Sequence, residues 1–175
     1  MNLMRTFFAY TFFLSLTLST ANSQSLCDGN LGENIFEAGD FGSGTANLIT
    51  VDPNIAPGFT YTTDVPPIDG FYTITNSTQV WNPLWETWLR IADNSNDPNG
   101  YMMVVNASLS PGIFFQQTIT NLCENTTYEF SADIINLIAS GNINHGKPNV
   151  SFLLNNEVQF STGDIPQNNN WNTYI

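Results

Sequence analysis

The stretch from Gly100 to Leu137, GYMMVVNASLSPGIFFQQTITNLCENTTYEFSADIINL, constrains the fold most. It reads as three consecutive β-strands. Tyr101 to Ala107 is apolar on both faces, the pattern of a strand covered from two sides. Phe114 to Ile119 mixes aromatics with paired glutamines. Tyr128 to Ile135 alternates, with Tyr128, Phe130, Ala132 and Ile134 on one face and Glu129, Ser131 and Asp133 on the other. The connections SLSPG and NLCENTT are rich in turn formers. Strands joined this way build an antiparallel sandwich.

Further strand signals flank this block. Asn34 to Gly42 reads as a short strand entering a glycine turn. Ser43 to Gly70 is loop-rich, with prolines at 53, 57, 66 and 67. Phe71 to Thr75 is β-prone. Leu84 to Ala92 fits helix or strand by pattern alone, and its aromatics favour strand. Asn149 to Leu154 and Glu157 to Ser161 predict a hairpin around Asn155-Asn156, and Trp171 to Ile175 begins another strand. The sequence stops inside that last apolar run, so a longer parent chain is expected, with the C-terminal strands of the sandwich outside these 175 residues.

The start of the chain predicts export. Met1 to Ser23 has the form of a secretory signal peptide: Arg5 at the positive end, the apolar run Phe7 to Ser19, and small residues at Ala21 and Ser23. The run is too short to span a bilayer comfortably. Cleavage after Ser23 leaves 152 residues (24–175), one domain with a sizeable core and no membrane insertion. It also leaves two cations, Arg90 and Lys147, against fifteen acids, a net charge of −13. That balance repels nucleic acid and anionic lipid. The two cysteines, Cys27 and Cys123, lie 96 positions apart and are expected to pair outside the cell. Closing so long a loop is worth roughly 4 kcal/mol of chain entropy.

Three segments carry a family resemblance: Asn34-x-Phe36-Glu37-x-Gly39-x-Phe41; Asp93 through Gly100-Tyr101-Met102-Met103-Val104-Val105-Asn106; and Phe115-Gln116-Gln117-Thr118-Ile119 with Leu122-Cys123-x-Asn125-Thr126-Thr127-Tyr128-x-Phe130-Ser131. Thr162-Gly163-Asp164-Ile165-Pro166 followed by Trp171 also fits. Together they span most of residues 27–175. The chain resembles the jelly-roll domains related to carbohydrate-binding modules of the cellulase C type, families four and nine, as found in surface proteins of gliding bacteria. The resemblance implies an all-β, antiparallel, galactose-binding-like jelly-roll sandwich. It implies a secreted or cell-surface protein, with a polysaccharide or cell-surface glycan as partner and further modules in a longer parent. The closing strand pair of such domains, with its acidic end, has no counterpart here.

The same resemblance implies a structural calcium ion (Ca2+), with Glu37 as one ligand. Asp93-Asn94-Ser95-Asn96-Asp97 adds oxygen side chains at successive positions, as calcium prefers, though it equally describes a solvated acidic turn. Asp93 and Asp97 are the candidate ligands there. For sugar stacking, Trp81, Trp85 and Trp88 lie within eight residues. Trp85 and Trp81 flank the Pro83 turn and are the leading candidates, with Tyr72 and Gln116 beside them. The competing reading is that indoles fill the core, Trp88 and Trp171 first. His145, the single histidine, sits in a loop with no nucleophile–base constellation around it. Sequons occur at Asn76, Asn106, Asn125 and Asn149. The expected function is therefore exported, non-catalytic glycan recognition. The alternative is a structural or adhesive spacer module of a large surface adhesin, without a small-molecule ligand.

Overall fold

The computed structural model describes residues 39–81, 86–120, 122–142 and 144–175. The expected signal peptide, Cys27, the opening Asn34–Glu37 segment with Glu37, and Trp85 all lie outside the described residues. Within them the chain is all-β, without a helix, in three small sheets. None of its elements is a helix long and apolar enough to cross a membrane.

The first sheet has the order β1-β2-β3, with β1 Thr60–Tyr61, β2 Phe71–Thr75 and β3 Met102–Asn106. β1 runs parallel to β2, and β2 antiparallel to β3 with Phe71 opposite Asn106 and Thr75 opposite Met102. Leu48 bridges to Thr75 beyond the end of β1, so β2 is central along most of its length. Cross-strand partners share a face. This register puts Tyr72, Ile74, Met103 and Val105 on one side, and Thr73, Thr75, Met102 and Val104 on the other.

Each face has its own apolar cluster. Tyr72, Ile74 and Tyr101 pack with Ala56 beneath Phe41 and beneath Ile49, Ile55, Phe59 and Tyr61 of the proline-rich segment. Met102 and Val104 pack with Trp81 beneath Val65, Trp88, Ile91, Leu137 and Trp171. That two-sided cover explains why β3 is apolar at successive positions. The covering layer on the Met102 side is built from irregular extended chain: Ser77 bridges Ala92, and Trp88 bridges Ile138. Thr78, fully buried, holds this layer together. Its hydroxyl donates to Leu89 O at 2.6 Å and accepts from the Ile91 N–H at 2.9 Å.

The second sheet pairs β4 Ala132–Ile134 with β7 Asn172–Tyr174, antiparallel. The third is the predicted hairpin, β5 Asn149–Leu154 and β6 Glu157–Asp164. Asn155 and Asn156 take φ of 52° and 67°, the left-handed pair that a two-residue hairpin turn requires. Asn136, 2% exposed, ties the strands' continuations together. Its amide donates to Ile165 O at 3.2 Å and accepts from the Ile138 N–H at 3.0 Å.

Three strand expectations require correction. Leu84–Ala92, described from Glu86 onward, forms no strand there and enters only isolated bridges at Trp88 and Ala92. Phe114–Ile119 forms no strand. Its neighbour is the proline-rich loop: Gln116 N–H bonds Ile55 O at 2.9 Å and Gly58 N–H bonds Ile113 O at 2.8 Å. Isolated bonds to a loop satisfy the backbone there without a ladder. The Tyr128–Ile135 run is ordered as strand only over Ala132–Ile134, the span that β7 pairs.

Candidate functional site

The loop before β2 and the end of β3 meet the Trp88 segment in an open cleft of about 360 Å³. Its lining is Pro66, Pro67, Ile68, Asp69, Trp88 and Asn106. Each wall has a cause in the sequence. Asn106 has the face parity of Met102 and Val104, so it points to the side where Trp88 packs. Its amide donates to Pro67 O at 2.9 Å, and Gly70 N–H bonds Asn106 O at 2.8 Å. These two bonds fix the Pro66–Gly70 turn against the end of β3. Gly70, at φ 82°, takes the left-handed conformation that closes the turn.

Trp88 is held from behind. Its ring meets that of Trp81 edge-on, with centroids 5.7 Å apart. Backbone bonds from Leu89 N–H to Leu137 O and from Ala139 N–H to Thr87 O, each 2.8 Å, fix the segment that carries it. The indole is half-buried, so one part anchors in the apolar cluster while another lines the cleft. Ile68, 68% exposed, and Asp69 form the outer rim. The site thus offers an aromatic wall, the half-buried Pro66 ring, an amide and a carboxylate. This set desolvates an apolar ligand face and hydrogen-bonds its polar edge.

Of the residues expected from the sequence to bind sugar, the described ones, Trp81, Tyr72 and Gln116, are not brought together here. Trp81 and Tyr72 are 3% and 1% exposed, in different apolar clusters on opposite faces of the first sheet. Neither presents a ring face to a ligand, which corrects both assignments. Tyr72 instead turns its hydroxyl to Asp52 Oδ1. Burial raises its phenol pKa, and the bond to Asp52 adds to the rise. Tyr61, in edge contact with Tyr72 at 5.1 Å, is also raised, mainly by burial. Gln116 is exposed but lies beside Ile55, away from the cleft lining. Among the described indoles, Trp88, expected in the core, is the one that lines this cleft. The signal available for it was the even-numbered face of β3, which places Asn106 and the Trp88 cluster on one side.

Among the described residues no group of three or more His, Cys, Asp or Glu side chains could hold a metal ion. Asp93 and Asp97 serve their own loop: Asp93 Oδ2 accepts from Ser95 N–H at 3.1 Å, and Asp97 Oδ1 from Asn99 N–H at 2.8 Å. Gly100 packs so closely on this turn that a Cβ would lie 2.3 Å from Asp93 Oδ2. Cys123 is disulfide-bonded, and no cysteine among the described residues is a free thiol. No family model, no curated protein and no solved structure matches the chain.

Proposed function

We propose that the chain is an exported, non-catalytic glycan-recognition module of a jelly-roll type, and that its saccharide docks in the Trp88 cleft. The observation that carries this reading is one half-buried indole lining a cleft with the Asn106 amide and the Asp69 carboxylate. A volume of about 360 Å³ falls within the range of small-ligand sites. A pyranose has one apolar face and a polar rim, and this lining answers both. The Asp69 carboxylate and the acidic chain favour neutral over anionic sugars.

Calorimetry of the exported protein against soluble neutral polysaccharides tests the reading. Trp88→Ala should weaken binding by roughly 1–3 kcal/mol, the scale of withdrawing a large apolar surface. Because Trp88 also packs on Trp81, folding of the variant is checked by its melting curve. Asp69→Asn on the exposed rim is a second probe that leaves the core intact. Binding that neither variant weakens would remove the cleft assignment. A parent that binds no glycan would leave the spacer or adhesive reading, which the exposed β5–β6 hairpin favours.

A further inference from the structure

The Trp88 cleft holds an indole and a carboxylate on separately braced pieces of chain. Asp69 stands at the rim, on a turn that two strands fix. Phe71 N–H bonds Ile68 O at 3.0 Å and closes the turn, with Gly70 at φ 82° as its third residue. Gly70 N–H bonds Asn106 O of β3 at 2.8 Å, and Thr60 N–H of β1 bonds Gly70 O at 3.0 Å. Asp69 is the second residue of this turn, so its side chain is exposed while its backbone is clamped. Trp88 is half-buried and braced edge-on by Trp81, with ring centroids 5.7 Å apart.

Asp69 is the one charged residue of the lining, which among the described residues contains no Lys, Arg or His. The chain has few cations to place there, three Lys or Arg against fifteen acids. Arg90, the cation nearest in sequence to Trp88, is committed elsewhere. Its guanidinium donates to Thr78 O at 3.1 Å and to Trp81 O at 2.5 Å. An indole face and a carboxylate both attract an ammonium ion. The ring acts through its quadrupole, and the carboxylate through a charge-assisted hydrogen bond. A hydroxyl in the same place gains only an ordinary hydrogen bond. The acidic chain adds a field that raises the local concentration of cations.

We propose that the cleft prefers a saccharide bearing a protonated amine, an amino sugar whose nitrogen is not acetylated, over the neutral sugar of the same shape. This rests on the glycan reading of the cleft and adds the chemical class of its ligand. The apolar face of the ring lies against Trp88, and the ammonium donates to the Asp69 carboxylate. The Asn106 amide spends one hydrogen on Pro67 O, which leaves its other hydrogen and its oxygen for a ring hydroxyl. Asp69 is exposed, so the preference is modest, roughly threefold to tenfold at low salt, and shrinks as salt rises.

Calorimetry of the intact protein with matched disaccharides tests this: glucose against glucosamine and galactose against galactosamine, with the N-acetylated forms as uncharged controls. The amine should bind roughly threefold to tenfold more tightly than its neutral and N-acetylated counterparts. Asp69→Asn should erase that preference. Glu129→Gln, at an exposed acid outside the cleft lining, should preserve it. Equal affinity for a sugar and its amine, with both weakened by Trp88→Ala, would overturn the amine preference and leave the cleft standing. A preference that survives Asp69→Asn, or that Glu129→Gln reduces as much, would overturn it too, by assigning it to the diffuse field of the chain. If no member of the series binds, the glycan reading falls and this inference falls with it.

Discussion

Two buried threonines on the same sheet face or next to it make opposite predictions for one substitution. Thr78 is fully buried and its hydroxyl bonds both Leu89 O, at 2.6 Å, and the Ile91 N–H, at 2.9 Å. Thr73 is as buried, yet its hydroxyl makes no hydrogen bond of ordinary geometry, only a weaker polar contact with Tyr61. Valine matches threonine in shape, so neither Thr78→Val nor Thr73→Val opens a cavity. Thr78→Val strands a half-buried carbonyl and a half-buried N–H, each costing up to about 1–3 kcal/mol. The added methyl returns up to about 0.8 kcal/mol. The net cost should be about 2–4 kcal/mol, lowering Tm by very roughly 5–15 °C in a chain of this size. Thr73→Val removes a weakly bonded hydroxyl and gains apolar contact, so it should be neutral or stabilising. Calorimetric or denaturant unfolding of the two variants beside wild type reads the difference directly. Equal losses at both sites would refute the assignment of the layer's cohesion to the Thr78 bonds.

Alkaline pH should destabilise the protein. Tyr72 and Tyr61 have pKa values raised by burial, so above about pH 10 the unfolded chain releases phenolic protons that the folded chain retains. Stability is therefore full below that pH and falls as pH rises; urea midpoints should show it, with a shallower slope in Tyr72→Phe. Asn136→Ala should cost about 2–4 kcal/mol, because it leaves Ile165 O and the Ile138 N–H unpaired; a loss below that of an exposed-site alanine would contradict the role given to this amide. A non-reducing digest of the protein folded under oxidising conditions should recover Cys123 joined to Cys27, the other cysteine of the chain, and two alkylatable thiols would contradict that pairing.

Local patterns in the sequence carried the parts of the fold that local chemistry determines. Phe71–Thr75 and the Asn155-Asn156 hairpin were legible because β-prone runs and left-handed turn residues are short-range signals. The double-sided apolar pattern at Tyr101–Ala107 correctly marked a strand covered on both faces. Phe114–Ile119 misled because its aromatics suit a strand equally well whether the neighbour is a ladder or a loop, and the neighbour is a loop. The site was harder still. Three indoles within eight residues look alike in sequence, yet Trp81 is sealed behind Trp88 and only Trp88 among the described ones lines the cleft. Which indole faces outward depends on the Thr87–Ala139 and Leu89–Leu137 bonds, contacts some fifty residues apart that no window of sequence contains.

The most direct test of the proposed glycan cleft follows the indole N–H resonances of the four tryptophans by NMR during titration with a soluble neutral oligosaccharide. The Trp88 signal should shift and saturate with the binding isotherm, together with the Asn106 side-chain amide, while Trp171 stays unmoved and Trp81 moves less than Trp88. A saturable shift confined to Trp85 or to residues around Gln116, with Trp88 and Asn106 silent, would contradict the account.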